Sequence, residues 1–171
     1  MKRILLLVLV SLFFTMCKTP STVIVNDNNS STIKDENLKD ELFYTEQIKN
    51  DFRSVSDAVK KDFLNGYKAT DAKYSILFFT QGFSGEEIIV KNSEETVFKG
   101  KISSDKKTGL AKNMRILNTE NNSVFDNSTN KTIFIDSKMA SEYKFIYVMK
   151  DLSNKEKPYK ITYSNLLRPV K

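Results

Sequence analysis

The sequence predicts a mainly β fold: an antiparallel β-sandwich or barrel-like domain preceded by an α-helical segment. From Tyr74 onward, about seven short runs of β-branched and aromatic residues are separated by polar turns, with no helical period between them. The 171 residues include 12 Phe and 7 Tyr, but just 5 Gly and 3 Pro. This is enough apolar volume for one packed domain, and too little Gly and Pro for a low-complexity chain.

The predicted strands are residues 74–80, 86–91, 96–102, 113–117, 131–136, 143–149 and 159–163. Side chains two positions apart on a strand point to the same face of the sheet. In the last two runs, Phe145, Tyr147, Tyr159 and Tyr163 stand at such alternating positions. Alternating strand aromatics usually belong to a core, which is the favoured interpretation here. The alternative is a solvent-facing platform that stacks on sugar rings.

Residues 35–66 are the predicted helical segment. Its apolar residues are Leu38, Leu42, Ile48, Phe52, Val55, Val59 and Phe63. From Ile48 onward they stand three or four positions apart, which is the spacing of one helix face, and Gly66 stands where such a helix would end. The longer step between Leu42 and Ile48 leaves open whether there are one or two helices. Ile48, Phe52, Val55 and Val59 are a candidate partner-binding face, although packing of this helix on its own domain is favoured.

The N-terminus has the pattern of an export signal. Lys2 and Arg3 precede an apolar run, residues 4–16, that ends at the single cysteine, Cys17. As a helix this run would be about 20 Å long, too short for a hydrocarbon layer of about 30 Å. The length and the basic flank are those of a secretory signal peptide.

The stretch 14–17, Phe-Thr-Met-Cys, resembles the lipobox of bacterial lipoproteins. In that family, diacylglycerol is attached to the cysteine thiol and a peptidase then cleaves the chain before it. The resemblance implies a signal peptide of residues 1–16, lipid attachment at Cys17, and anchoring to a membrane of the bacterial cell envelope, with the outer membrane expected. Export with cleavage but without lipid is the alternative. Residues 17–34 would then be the lipidated Cys and a polar tether, 35–66 the helical segment, and 73–171 the β domain.

Cysteine and histidine usage excludes several kinds of chemistry. With one Cys and no His, the chain cannot form an internal disulfide, a Ser-His or Cys-His nucleophile pair, or a His-ligated zinc site. The net charge of +6 is spread over lysines that alternate with acids, which is not the clustered charge of a nucleic-acid-binding surface. No cofactor, metal ion or catalytic residue is predicted.

Two polar groupings are weaker candidates for a site. Asp126, Ser128 and Asn130 resemble the opening of a calcium loop, but the glycine and the final acid of such a loop are missing. The pairs Glu86-Glu87 and Glu94-Glu95 flank a predicted strand, and at most one member of each pair can face a given site. Polar turns and solvated charges are the favoured interpretations.

These observations predict a lipid-anchored envelope protein that acts as a binding or structural module, with another envelope protein, a glycan or a peptide as its partner. Two alternatives stay open. One is a glycan-processing enzyme based on two carboxylates, which requires a converging pair with raised pKa values. The other is a member of an envelope assembly that binds its partner through the helix.

Overall fold

The computed structural model describes residues 42–169. Within them the strands are β1 (Tyr44–Ile48), β2 (Tyr74–Phe79), β3 (Ser84–Lys91), β4 (Thr96–Ser103), β5 (Lys112–Leu117), β6 (Asn122–Asp126), β7 (Lys131–Ile135), β8 (Phe145–Lys150) and β9 (Tyr159–Ser164). The helices are α1 (Asp57–Gly66) and α2 (Ser137–Glu142). The predicted signal peptide, Cys17, the tether and the start of the predicted helical segment lie outside the described residues.

The strands form two sheets, which do not close into a barrel. The first sheet has five strands in the order β1-β9-β8-β2-β5, and the second has four in the order β4-β3-β6-β7. The second sheet is antiparallel throughout. In the first, β1 pairs with β9 and β2 pairs with β8 in parallel. The mainly β prediction is therefore confirmed, whereas the expectation of a wholly antiparallel arrangement is wrong for the first sheet.

All seven predicted strands are present, with ends displaced by no more than a few residues. The strand β6 was not predicted, because only Val124 and Phe125 of its five residues are apolar. It pairs along both edges, with β3 and β7. Its backbone is therefore held by hydrogen bonds to neighbouring strands, which cannot be predicted from its composition. The helix α2 was also not predicted. It spans six residues, and the carboxylate of its N-cap residue, Asp136, accepts a hydrogen bond from the Met139 amide.

The main core lies between the two sheets. Fully buried members include Leu77 and Ile146 from the first sheet, and Ile88 and Ile133 from the second. Each such side chain contributes about 1.5–3 kcal/mol through burial of its apolar surface. The two sheets are thus held together by the alternating apolar residues of their inner faces.

The outer face of the first sheet is covered as well, which places a second apolar cluster on its far side. Phe78, Phe145 and Tyr147 point to this side and are buried under α1 and the segments next to it. Phe63 of α1 stacks on Phe78, with ring centroids 5.8 Å apart. Because both faces of β2 and β8 are covered, these two strands read as continuous apolar runs.

Of the predicted helical segment, the structure describes residues 42–66, and within them only Asp57–Gly66 is helical. Residues 44–48 form the edge strand β1, and the helix begins at Asp57. The apolar spacing from Ile48 is therefore not one helix face. Tertiary pairing overrides the local pattern, since β1 forms a ladder with β9 and buries Tyr44 between the sheets. Within residues 42–169, no helix has the length and apolar character needed to cross a membrane.

Candidate functional site

A cavity opens on the outer face of the first sheet, beside the ends of β2 and β8. Its volume is about 250 Å³, slightly below the range of about 300–1,000 Å³ that is usual for small-molecule sites. The lining residues are Phe78, Thr80, Gln81, Thr108, Gly109, Leu110, Tyr147, Met149, Arg168 and Pro169. Strands β2 and β8 supply the floor, the loop between β4 and β5 supplies one wall, and the segment after β9 supplies the other.

The floor of this pocket is aromatic. The rings of Phe78 and Tyr147 are stacked, with centroids 4.8 Å apart and an angle of 20° between their planes. The Tyr147 hydroxyl donates to the Leu166 carbonyl at 3.0 Å and accepts from the Arg168 amide at 3.0 Å. This pair of hydrogen bonds ties the segment after β9 to the sheet, and so fixes where Arg168 stands.

Arg168 is the charged group of the pocket. Its guanidinium lies 4.3 Å from the ring centroid of Tyr147 and 4.4 Å from that of Phe52. Its Nε is buried and has no hydrogen-bond partner among the described residues, and no carboxylate of residues 42–169 forms an ion pair with it. Burial lowers the pKa of Arg168, but an arginine remains protonated at neutral pH. A cation with no anionic partner within residues 42–169 is thus held at an open, partly apolar pocket.

A second cavity, of about 240 Å³, lies near the edge of the first sheet formed by β5. It also contains an arginine stacked on a tyrosine, because the Arg115 guanidinium lies 4.2 Å from the ring centroid of Tyr74. Arg115, however, is exposed and donates to the Lys68 carbonyl at 3.0 Å. The Arg168 pocket is therefore the stronger candidate for ligand binding.

A separate group of charged side chains is buried between the two sheets. Lys150 stands at the end of β8 and reaches across to Glu86 on β3 and Asp126 on β6. Its Nζ lies 2.8 Å from Glu86 Oε1 and 2.8 Å from Asp126 Oδ2. The side chains of Lys150 and Asp126 are each 2 % exposed, and that of Glu86 is 10 % exposed. We refer to Lys150, Glu86 and Asp126 as the ion cluster.

Neighbouring hydroxyl and amide groups complete the hydrogen bonding of the ion cluster. The third proton of Lys150 goes to Ser128 Oγ at 3.1 Å. Asp126 Oδ1 accepts from the Ser128 amide at 2.8 Å and from its hydroxyl at 2.6 Å. Asp126 Oδ2 accepts from the Tyr159 hydroxyl at 2.7 Å, and the Thr129 hydroxyl lies 2.7 Å from that of Tyr159. Every donor of the buried ammonium is thus paired, as a buried charge requires.

The backbone at Lys150 is fixed by the turn between β2 and β3. The Lys150 amide donates to the Gln81 carbonyl at 2.9 Å. Gly82 in this turn has a φ of 93°, and a Cβ there would collide with the carbonyl of Lys150. A glycine is needed at this position for both reasons, and the close approach sets where the Lys150 side chain enters the space between the sheets.

The ion cluster holds its members in their charged forms. Burial raises the pKa of Asp126, but hydrogen bonds from Lys150, Ser128 and Tyr159 outweigh it and leave that pKa below its ordinary value. Burial likewise opposes the charge on Glu86, whose pKa is nevertheless lowered by hydrogen bonds from Lys150 and the Ser84 amide. For Lys150, burial lowers the pKa and the two carboxylates raise it further than burial depresses it. A glycan-cleaving general acid requires a raised carboxyl pKa, which this pair lacks.

The sequence placed two parts of the ion cluster among its candidates. Asp126 was considered as the opening of a calcium loop, and Glu86 belongs to a pair of which at most one member was expected to face a site. The structure brings these two together on Lys150, whereas Glu87 faces the other side of the strand and pairs with Lys99 at 3.7 Å. Among the described residues, no group of three acidic, Cys or His residues is arranged to hold a metal ion.

Sequence reasoning missed Lys150 and Arg168. For Lys150 a signal was available, because it shares the strand face of Ile146 and Val148, and a lysine at an inward position is a candidate buried charge. For Arg168 there was none, since it follows the last strand in an irregular segment. The four aromatic residues of the predicted alternating pattern are all buried. Phe145 and Tyr147 lie in the second apolar cluster, on the outer face of the first sheet, and Tyr159 and Tyr163 lie between the sheets.

The candidate partner-binding face is divided among three elements. Ile48, on β1, and Val59, on α1, are 55 % and 52 % exposed. Phe52 and Val55 lie in the irregular segment between these elements and are partly buried against the second apolar cluster. Cys17, the predicted lipid-attachment residue, lies outside the described part of the chain. No protein-family model matches this sequence, and comparison with curated proteins finds no significant similarity.

Proposed function

We propose that this chain is a lipid-anchored binding module of a bacterial cell envelope, whose pocket binds a carboxylate carried on a flat apolar body. The observation that supports binding is the position of Arg168, whose guanidinium stands at the edge of an aromatic floor and whose buried Nε has no partner in the described part of the chain. The lipobox-like stretch that ends at Cys17 supports the anchor.

The chemistry of the pocket favours recognition over turnover. Its lining residues include hydroxyl, amide, aromatic and guanidinium groups, but no carboxylate, lysine, cysteine or serine. The Thr80 hydroxyl donates to the Val148 carbonyl, which is not a base. The Thr108 hydroxyl donates to the Asp105 carboxylate, whose pKa is held below its ordinary value by hydrogen bonds from Thr108 and the Lys107 amide, so that it is a weak base. Nucleophilic catalysis needs a base that can take the proton of the nucleophile. What the pocket offers is a fixed cation and a flat apolar surface.

A carboxylate is the anion that suits this arrangement. A guanidinium presents N–H groups in a fork that matches the two oxygens of a carboxylate, and such charge-assisted pairs are about twice as strong as neutral ones. Phe78 and Tyr147 line the floor of the pocket, where the parts of their rings that reach its surface would contact an apolar group attached to that carboxylate. The volume of about 250 Å³ limits the bound group to a small molecule or to one residue of a peptide.

The proposal is tested with benzoate and its neutral analogue benzamide, in ligand-observed NMR titrations of the full chain. We expect benzoate to bind wild-type protein, and Arg168→Met to weaken its Kd about tenfold or more, because the ion pair is lost. Arg53→Met removes an exposed arginine outside the pocket and should leave the Kd unchanged.

Benzamide should bind more weakly than benzoate to the wild type, and about equally to wild type and Arg168→Met. A benzoate Kd that is the same in Arg168→Met and wild type would contradict the proposal, as would absence of benzoate binding to the wild type. A peptide with a free C-terminal carboxylate, compared with its amidated form, separates a peptide ligand from a free small molecule.

A further inference from the structure

We propose that Lys150 and Asp126 condense to an intramolecular isopeptide bond that links the two sheets, with Glu86 carrying the protons. The two reacting groups come from strands in different sheets and meet at 2.8 Å. This inference is independent of the pocket and its ligand, since no residue of the ion cluster lines that cavity.

Proximity and burial are the first conditions for the reaction. The fold holds the amine against the carboxyl group, which replaces a bimolecular encounter by a step within one molecule. Both side chains are 2 % exposed, so the water that is released leaves a site to which solvent has little access. Burying an ammonium and a carboxylate is expensive even when they are paired, and the neutral amide removes that desolvation penalty for Lys150 and Asp126, whereas Glu86 keeps its charge.

The surroundings of Asp126 fit the needs of an electrophile. Oδ1 accepts two hydrogen bonds from Ser128, at 2.8 Å from the amide and 2.6 Å from the hydroxyl. These donors are placed to stabilise negative charge on Oδ1 when the amine adds to Cγ, as an oxyanion hole does. Oδ2, the oxygen that would leave, accepts from the Tyr159 hydroxyl at 2.7 Å, which favours its departure as water.

Glu86 stands where a proton carrier is required. Its Oε1 lies 2.8 Å from Lys150 Nζ, within reach of the protons that the nitrogen must lose. In the reaction, the Nζ–Cγ bond forms and the Cγ–Oδ2 bond breaks. The first proton passes from the Nζ ammonium through the Glu86 carboxylate to Asp126 Oδ2 before the bond forms, so that a neutral amine adds to a neutral carboxyl group. The second proton follows the same route as the water molecule leaves, and the Glu86 carboxylate is returned unchanged. One ammonium and one carboxylate become one neutral amide and one water molecule, so atoms and charge balance without any further reactant.

The isopeptide bond would provide a covalent cross-link, which this sequence cannot form through a disulfide. A chain with one cysteine cannot form an internal disulfide. An amide between β6 and β8 would serve as a covalent link between the sheets and would close a loop across positions 126 and 150. Like a disulfide, such a link limits the unfolded chain more than the folded one.

The test is peptide mapping of the purified full chain, denatured and digested with trypsin. A linked Lys150 is no longer a trypsin site, so peptide 116–131 should appear joined to peptide 145–155, with a combined mass lower by one water molecule. Fragmentation of this species should place the link between positions 126 and 150. In folded wild-type protein, recovery of 145–150 and 151–155 as free peptides, with no joined species, would overturn the proposal.

Matched variants of neighbouring glutamates test the role of Glu86. We expect Glu86→Gln to lower the linked fraction at least tenfold, because an amide does not accept the proton. Glu87→Gln changes the next residue, whose side chain is outside the ion cluster, and should leave the linked fraction at its wild-type value. Linking of Glu86→Gln at the wild-type rate would overturn the assignment of Glu86.

Lys150→Arg supplies an unlinked reference that keeps the positive charge. Peptide mapping of this variant should show no joined species, and its thermal midpoint should fall below those of wild type and Glu87→Gln. Near-ultraviolet circular dichroism checks that each protein compared is folded. Equal midpoints for folded Lys150→Arg and wild type would count against a covalent link in the wild-type protein.

Discussion

At the scale of single residues, the charged groups of this protein divide into two environments. Lys150 is buried, and each of its three protons has an acceptor. Arg168 is half-buried, stacked on two rings, and its Nε is unpaired among residues 42–169. A satisfied buried charge serves the structure, whereas an unsatisfied one beside a cavity is a place for a ligand. This contrast, more than any motif, separates the two candidate sites.

Tyr147 carries a pH dependence that can be measured. Burial raises the pKa of its hydroxyl from 10.0 to about 12. The unfolded chain therefore loses this proton first as the pH rises. The stability contributed by the neutral buried phenol is fully present below about pH 10 and is lost as the pH approaches about 12. The full shift corresponds to about 2.8 kcal/mol, at about 1.4 kcal/mol per pKa unit, and we expect about 2 kcal/mol of it to be lost by about pH 12, where the folded-state hydroxyl is half ionised.

Denaturant unfolding at about pH 9 and about pH 12 measures this loss. Tyr147→Phe has no hydroxyl to titrate, so its free energy of unfolding should fall by about 2 kcal/mol less than that of the wild type between these two pH values. An equal fall in both proteins would show that Tyr147 does not contribute to alkaline destabilisation.

At the scale of elements, the residues from β1 to α1 show that a regular apolar spacing does not by itself produce a helix. An apolar spacing of three and four continues from Ile48 to Phe63, but only Asp57–Gly66 is helical. Isolated helices of this length are marginal in water. The helix is held by Phe63, Leu64 and Tyr67 against the first sheet, and β1 is held by its ladder with β9.

We expect substitutions on the two sides of α1 to differ strongly in their effect on stability. Phe63→Ala removes a ring that stacks on Phe78 and approaches Phe145 edge-on, and should cost about 2–3 kcal/mol of unfolding free energy. Val59 is 52 % exposed, and Val59→Ala should change stability by about 0.5 kcal/mol or less. Denaturant unfolding measures both.

Similar losses for Phe63→Ala and Val59→Ala would contradict the packing of α1 on the sheet. A large loss for Val59→Ala alone would point to a partner or a second copy covering Ile48 and Val59, and so to the helix-mediated assembly that the sequence left open.

At the scale of the whole molecule, the predicted anchor and the pocket lie in different parts of the chain. Cys17, the predicted lipid-attachment residue, precedes the described residues, 42–169, in the sequence. The described domain uses both faces of its first sheet for packing, and places its pocket on the helix-covered side. Ligand binding and anchoring are therefore separable, and each can fail without the other.

The anchor has a direct test in the full chain. We expect the mature protein to incorporate a clickable fatty acid and to partition into detergent, because two or more acyl chains hold a protein stably at a membrane. Cys17→Ser should abolish both properties, while Thr19→Ser, a small change two residues away, should leave them intact. Equal labelling of wild type and Cys17→Ser, or a mature N-terminus beyond position 17, would contradict lipidation there.

The sequence by itself determined the class of fold and most of its strands, because period-two alternation and β-branched composition are local properties. It also excluded disulfide and histidine chemistry, which depend on composition alone. It could not determine β1, whose spacing favours a helix, or β6, whose residues are largely polar. The backbones of both are held by strands distant in sequence.

Only the tertiary structure decided the sites. Glu86, Asp126 and Lys150 become one cluster because the start of β3 and the ends of β6 and β8 meet at the same place between the sheets. Arg168 gains an aromatic floor because the segment after β9 folds back over β8. A charge in a sequence has no burial and no partner until the chain has folded, so these two properties, which determine what it can do, were decided by packing alone.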